Sequence, residues 1–507
     1  MNPSVPFTML LVVSAALGCS SSDSSATPQA PAFGDPLAAT CDEPAPPAPI
    51  GQASVVGDGT AGSCTAEALQ AAVDKGGDVS FQCGADPITI AVTSEIKVSK
   101  DIILDGKGKV TLDGGGASRI LSADQQVAVT LIGLTFTRGK ATATEGGPVS
   151  GGAVRGGWKG SIKVFDCTFT DNEAGTSGEE GGGALYTPSR TTMTIVRSHF
   201  QGNRAGTGGA VHNLLSELTI VNSTFDDNES TTEGGGAVYT DGASGDINDS
   251  VGGTITLCGC RFTGNRGKNQ GGAAYLFAYA PDKVVVNQCA FSSNRVTATG
   301  DGSALGGGLR VGNAPLDLAN SLFESNHADT HGGGLWVDGK YPTRVNDSTF
   351  WKNDAGVVGK DAGYGGALSG ANLHMSNLTL VDNQAVHSGG AIFNEDDQVV
   401  LANSIVARNT AGNQWKIGQS CRKRMQGSRN IQWPDPAANG KEDALCTAGV
   451  VIADPLLGDL SDQGGATRTM PIAAGSPAID AGEGCSETDQ RGKPRKGACD
   501  LGAFEAQ

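Results

Sequence analysis

One unit recurs along this 507-residue chain: an apolar strand, a small residue, Phe-x-x-Asn, a variable loop, then Gly-Gly-Ala-apolar. Phe stands at 136, 169, 200, 225, 262, 291, 323 and 350, and Leu380 and Val406 continue the column. Asn follows three residues later at 172, 203, 228, 265, 294, 326, 353, 383 and 409, with Gly139 in its place in the first unit. Gly-Gly pairs begin at 151, 182, 208, 235, 271, 307, 332, 365 and 389. Asn spacing varies from 25 to 37 residues, nearly all of it between the Asn and the Gly-Gly. A repeat of this length cannot bury an apolar face alone, so successive units must stack.

Strands such as Leu218-Thr219-Ile220 alternate, which places every second side chain on one face. One coil per unit then sets each strand on its equivalent at about 4.8 Å, Phe on Phe inside and Asn on Asn at a bend. Asn suits the bend because it tolerates a left-handed backbone and its amide can bond along the stack. The glycines allow a second sharp corner. The predicted fold is all-β, a right-handed parallel β-helix about 45 Å long over ten units. Residues 64–75 differ: Leu69, Ala72 and Val73 form a helical stripe, Thr65 or Ser63 caps it, and Gly76 ends it. This helix is expected to cover the N-terminal end of the core. Short strands should follow at 79–81, 88–90, 102–104 and 110–112.

The division that follows is a lipoprotein signal peptide at 1–19, a Ser/Ala/Pro tether at 20–50, a cap and first turns at 51–115, repeats at 116–410, and a disulfide-rich segment at 411–507. Residues 8–18 are an apolar run too short to span a bilayer. The run ends in Ala16-Leu17-Gly18-Cys19, which resembles the bacterial lipobox, although Ala16 stands where that motif has Leu. The resemblance implies lipidation of Cys19, and Ser20 after it implies the outer membrane. The tether has too few bulky apolar side chains to bury a core. Export implies an oxidising compartment. Cys64 with Cys83, Cys421 with Cys446, and Cys485 with Cys499 are local pairs, and Cys260 with Cys289 would lie on adjacent turns at a bridgeable separation. Eleven cysteines besides Cys19 leave at least one thiol free.

A net charge of −17 argues against nucleic acid and anionic membrane as partners, and weakly against polyanionic substrates. Contact with a membrane is expected only through the lipid anchor.

The Phe-x-x-Asn and Gly-Gly-Ala repeats resemble those of chlamydial polymorphic outer membrane proteins. The C-terminal stretches Asp454-Pro455-Leu456-Leu457, Gly475-Ser476-Pro477-Ala478-Ile479-Asp480-Ala481-Gly482, Thr488-Asp489-Gln490-Arg491-Gly492 and Cys499-Asp500-Leu501-Gly502-Ala503-Phe504-Glu505 resemble the choice-of-anchor Q family of bacterial surface β-helix proteins. The two resemblances imply a β-helix displayed on the cell surface. The first implies adhesion, and the second brings no catalytic residues.

The residue after each Gly-Gly-Ala-apolar should point outward: Arg155, Tyr186, His212, Tyr239, Tyr275, Arg310, Trp336, Ser369 and Phe393. A solvent-facing aromatic stripe of Tyr186, His212, Tyr239, Tyr275, Trp336 and Phe393 would stack on sugar rings or partner side chains, unless the long loops cover it. Two positions before Phe, the column Leu134, Cys167, Ser198, Ser223, Cys260, Cys289, Ser321, Ser348, Leu378 and Ser404 should face inward. His331 and Tyr364 precede Gly-Gly pairs on neighbouring turns and are weak candidates for catalysis, lacking a fixed carboxylate partner. Cys258 and Cys260 form a C-x-C without the second pair that zinc needs, so no metal site is expected. Calcium is the one cofactor considered, at Asp241, Asp246 and Asp249 or at Glu395, Asp396 and Asp397, neither with EF-hand spacing. Arg422, Lys423 and Arg424 make a small basic patch.

Three functions compete on this scaffold: an adhesin or interaction scaffold binding glycans or surface proteins, a polysaccharide lyase, hydrolase or epimerase, and a structural spacer. The aromatic column favours the first. Fold alone cannot choose, and oligomeric state has no signature in the sequence.

Overall fold

The computed structural model describes residues 41–51, 53–143, 148–245, 252–300, 302–436 and 445–506. They belong to one compact unit, Leu37–Gln507. The signal-peptide segment, Cys19 and the tether as far as residue 40 lie outside the described residues.

The unit is a parallel β-solenoid. A representative coil runs through strand Thr192–Val196, strand His199–Gln201, the two-residue strand Arg204–Ala205, a loop, and strand Val211–Leu214. The next coil repeats it in register: Met193 pairs with Leu218, Phe200 with Phe225, Arg204 with Glu229, and Val211 with Val238. The first two strands of each coil belong to a 25-stranded sheet, the third to an 8-stranded sheet and the fourth to an 11-stranded sheet. A coil therefore contributes to three sheets, with a bend inside the 25-stranded one.

Vertical register produces the expected columns. The eight phenylalanines are fully buried, and their rings stack at 4.6–4.9 Å with interplanar angles of 2–11°. Leu380 and Val406 continue the stack. The asparagines form a ladder. The Asn265 Nδ2 donates to Phe225 O of the preceding coil at 2.9 Å and to Asn294 Oδ1 of the following one at 2.9 Å. Its own Oδ1 accepts from the Asn228 backbone N–H and Nδ2, each at 3.0 Å. The same pattern joins Asn172 to Asn203 and Asn383 to Asn409.

The left-handed backbone falls elsewhere than expected. It lies on the residue before each Asn, including Asp171, Asp227, Ser293, Ser325, Lys352 and Asp382, so the ladder Asn is selected by its amide alone. A second left-handed column, including Asp166, Arg197, Asn222, Gln288, Asn320, Asp347, Asn377 and Asn403, makes the bend within the 25-stranded sheet. At the glycine corner the first Gly of each pair is left-handed, for example Gly235 at φ +71° and Gly332 at φ +65°. Where the pair was expected at 307, the corner residue is Gly306, one position earlier.

The inward column two places before Phe is a second hydrogen-bonded ladder. Ser198 Oγ donates to Val196 O at 2.9 Å and accepts from the Cys167 N–H of the preceding coil at 3.1 Å. Ser321 and Ser348 repeat this. Cys167, Cys260 and Cys289 sit in the same column as buried free thiols, so the expected Cys260–Cys289 bridge is absent from the structure. Each thiol takes the place of a serine hydroxyl: Cys289 Sγ points at Asn287 O at 3.3 Å while its N–H donates to Ser321 Oγ. Burial pushes the Cys167 thiol up to about 12, which keeps it protonated and inert.

Helix Ala66–Val73 forms as expected, with the Thr65 side chain accepting from Ala68 N–H and Leu69, Ala72 and Val73 buried. The strands expected at 102–104 and 110–112 are one strand, Ile102–Asp113, with a register shift between Asp105 and Val110. The expected cysteine pairs Cys64–Cys83, Cys421–Cys446 and Cys485–Cys499 are disulfides, and a fourth joins Cys41 to Cys258. Residues 41–50, expected to belong to a flexible tether, are thus fixed to the solenoid. Glu43 pairs with Arg197 and accepts from Asn222 Nδ2 at 2.7 Å, and Ile50 N–H donates to Asp78 at 3.1 Å.

The C-terminal segment turns back along the outside of the 25-stranded sheet. Met470, Ile472, Ala478, Leu501 and Phe504 bury themselves against Val381, Ile405, Ala407 and Ile431. Its motif residues form a buried ionic clip. Arg491 pairs with Asp489 at 2.5 Å, and Arg495 bridges Asp347 at 2.8 Å and Glu505 at 3.1 Å, all with side chains 4% exposed or less. Gln490 completes it, accepting from Thr349 Oγ1 at 2.6 Å.

Replacing Asn265 with Ala strands the Phe225 carbonyl and the Asn228 N–H, and takes one of two partners each from the Asn228 amide and Asn294 Oδ1. The expected loss is about 2–4 kcal/mol, comparable with Phe262→Ala, read as a fall in urea midpoint at constant m. A loss near that of an exposed substitution would contradict the ladder. Arg495→Met leaves two buried carboxylates unpaired, so a loss of about 3–5 kcal/mol is expected. Limited proteolysis should then release the C-terminal segment before the coils; unchanged resistance would count against the clip.

Candidate functional site: the aromatic face of the 11-stranded sheet

Along this sheet the inward residue of each strand is apolar and the next one faces outward. The outward column is in register: Arg155, Tyr186, His212, Tyr239, Tyr275, Arg310, Trp336, Ser369, Phe393. Neighbouring rings meet edge to face, Tyr186 to His212 at 5.3 Å, His212 to Tyr239 at 4.8 Å and Tyr239 to Tyr275 at 5.2 Å. The guanidinium of Arg310 lies between the Tyr275 and Trp336 rings, 4.1 and 4.9 Å from their centroids, and Arg422 covers Phe393 at 4.5 Å. Such stacking satisfies both the cations and the ring faces.

The N-terminal part of this column is closed to solvent. Tyr186 is 4%, His212 5% and Tyr275 9% exposed. The loops before the Gly-Gly corners cover it: a side chain at Gly181 would overlap the His212 imidazole, and one at Gly234 would meet Tyr275. Thr207 Oγ1 lies 3.0 Å from His212 Nδ1. The solvent-facing stripe expected from Tyr186 to Phe393 is therefore a covered ladder over its first half, because the loops fold onto the rings instead of standing away from them. Tyr239 is half-buried within it.

Its second half opens. Trp336 and Phe393 are half-buried, and the fully buried Ser369 between them leaves no ring. Ser369 Oγ donates to Glu395 at 3.3 Å. A second column joins here from the residues that precede the glycine corners. His331, Tyr364 and Ser388 bridge successive coils. His331 and Tyr364 stack at 4.9 Å, Tyr364 meets His387 at 4.9 Å and Phe393 at 4.7 Å, and His387 meets Trp415 at 6.4 Å. Trp415 is 55% exposed. Trp336, His331, Tyr364, Phe393, His387 and Trp415 thus form a partly exposed platform edged by Arg422 and Glu395. His387 and Trp415 lie outside the repeat's columns, in loops, and periodicity does not reveal them.

Among the described residues no carboxylate is bonded to His331 or Tyr364, and His331 Nδ1 has no hydrogen-bond partner. Burial pushes the His331 pKa down to about 4 and that of His212 down to about 3. His331 is a neutral ring in a stack, with no group to orient it as a base. Among the described residues no three His, Cys, Asp or Glu side chains group to hold a metal. Asp241 accepts from Tyr279 Oη at 2.8 Å, and Asp246 and Asp249 lie outside the described residues. Asp396 caps the backbone of Asn372, and Asp397 pairs with Lys423 at 2.5 Å, so these acids have partners in the chain itself.

Residues 166–188 match the Chlamydia polymorphic membrane protein repeat. The matched stretch is one unit, from the left-handed corner at Asp166 through Phe169, Asn172 and the Gly182-Gly183 corner to Tyr186. No curated protein matches the chain.

His212 binds a proton near pH 6.5 when unfolded and near pH 3 when folded. The unfolded state therefore takes up more protons over that range. Stability falls as pH drops below about 6.5, by up to about 1.4 kcal/mol per pH unit. In urea titrations from pH 7.5 to 4.5, His212→Asn should flatten this slope by up to one proton per molecule. An unchanged slope would show that His212 titrates normally in the fold.

Proposed function

We propose that this chain is a surface-displayed lipoprotein, anchored in the bacterial outer membrane through Cys19, that works as an adhesin or interaction scaffold. Its binding surface is the open part of the aromatic face, and its ligands are glycans. The repeat match supports a surface protein, and the C-terminal motifs resembling choice-of-anchor Q proteins agree with it. The observation that carries the binding role is the platform itself: Trp336, Tyr364, Phe393 and Trp415 partly exposed within a few coils, on a chain where aromatics are 5% of residues. Rings of this kind supply large, rigid contact area for the apolar faces of sugars. Glu395 and Arg422 at the margin offer an acceptor and donors for hydroxyls.

The test is a glycan array probed with the compact unit Leu37–Gln507. Retention on a defined glycan set is expected, with Trp415→Ala and Tyr364→Ala each weakening it about 3- to 10-fold. Tyr186→Ala, in the covered half, should lower thermal stability without changing which glycans are retained. Uniform failure to bind would leave the spacer role, and cleavage of an arrayed polysaccharide would replace the proposal with an enzyme.

A further inference from the structure

Residues 41–50 lie on the bend of the 25-stranded sheet. Cys41 is joined to Cys258 at the end of strand Thr254–Cys258. Glu43 engages Arg197 and Asn222, the left-handed bend residues of the two preceding coils. Ile50 reaches Asp78 on strand Gly77–Phe81. The strap thus runs opposite to the winding of the solenoid, from the waist back to the second strand of the stack, next to strand Ser54–Val56. Six inter-coil steps separate these two strands, about 29 Å at 4.8 Å each. The nine-residue path from Cys41 to Ile50 carries Pro44, Pro46, Pro47 and Pro49, and nine residues of polyproline II span about 28 Å. Segment length, proline content and the spacing of the contacts agree.

The C-terminal segment dresses the same bend beyond that point: Thr467 Oγ1 donates to Asn320 O, Arg495 pairs with Asp347, and Asn403 Nδ2 donates to Glu483 O. Cys41 lies 3.5 Å from Gln288, and Thr467 bonds Asn320 on the neighbouring coil. Of the four disulfides, only Cys41–Cys258 has neither cysteine buried. The other three each place at least one sulfur-bearing residue in the interior, Cys64, Cys83, Cys421, Cys446 and Cys499.

We propose that Cys41–Cys258 is a redox latch that holds the proline-rich strap over the N-terminal coils and stops them unwinding from that end. An external dithiol opens it. One thiolate attacks a sulfur of the latch to give a mixed disulfide, and the second thiol displaces the protein sulfur. Two protein thiols and one oxidised dithiol result, with two electrons passed to the protein. The strap then keeps non-covalent contacts alone, among them the hydrogen bonds of Glu43 and Ile50, each far weaker than a covalent link. The covalent loop, which spans a sequence separation of 217, opens.

The experiment uses the full chain with thioether-linked spin labels at Ala45→Cys and Lys163→Cys, outside the core. With the latch closed, a single narrow distance distribution is expected. With Cys41→Ser and Cys258→Ser it should broaden, and amide exchange from strand Gly77–Phe81 to strand Glu217–Val221 should accelerate about 30-fold or more. A Cys64→Ser/Cys83→Ser control should leave the Ala45–Lys163 distance narrow. If the Ser variant does not fold, graded dithiol on the otherwise native labelled chain serves instead, with the opened pair identified by mass spectrometry. A narrow distance and unchanged exchange with both thiols free overturn the latch, as does Cys41–Cys258 opening last.

Discussion

The successive coils from Asn172 to Asn409 each bend beside a buried asparagine, and a buried amide must find partners or cost about 1–3 kcal/mol for each unpaired group. The ladder satisfies this only when the next coil sits directly above with its own asparagine in place. Hydrogen bonding of Asn172, Asn203 and their successors thereby fixes coil-to-coil register, and the other columns follow from it. Phenylalanine rings meet at their stacking distance because the residue three places on is pinned. The serine ladder does the same work one bend earlier at Ser198, Ser223, Ser321, Ser348 and Ser404, giving those coils two polar pins around an apolar interior. Loops of very different length fit between Asn and Gly-Gly because nothing in register depends on them.

This arrangement explains where the chain has freedom to carry function. Inward positions are committed, and the bend of the 25-stranded sheet is occupied by the two terminal segments. The 8-stranded sheet carries Arg204–Glu229 at 3.3 Å, and Lys140–Glu173 at 3.0 Å continues the pairing on isolated bridges of the preceding coils. The outer face of the 11-stranded sheet remains, and there the chain sets Tyr186, His212, Tyr239, Tyr275, Trp336 and Phe393 in one column. The fold of the loops decides how much of that face is usable: loops close over His212 and Tyr275, and the platform opens where Ser369 removes a ring and Trp415 reaches out.

Much of the fold was legible because it is periodic. Phe262 states its role through seven other phenylalanines and Asn265 through eight other asparagines, and the helix at 66–73 through its stripe and cap. The position of the left-handed residue was misjudged because Asn carries two signals, a tolerant backbone and a bonding amide, and only the second is used. Cysteine in the serine column suggested a bridge because spacing reports proximity, whereas Cys260 and Cys289 fill hydroxyl sites. The strap, the clip and the covering loops were not legible. Glu43 to Arg197, Arg495 to Asp347 and Gly181 over His212 are single contacts between segments that share no period. The binding platform was half legible: Trp336, Phe393, His331 and Tyr364 stand in columns, and His387 and Trp415 do not.

The most direct test of the register is amide hydrogen exchange at the ladder asparagines. Each backbone N–H from Asn172 to Asn383 donates to the side chain of the next asparagine at 2.9–3.1 Å. Although they sit at a bend beside variable loops, they should exchange as slowly as the central residues of strands such as Glu217–Val221. Exchange at the rate of the adjoining loops would mean that the coils are not pinned there, and that the columns have some other cause.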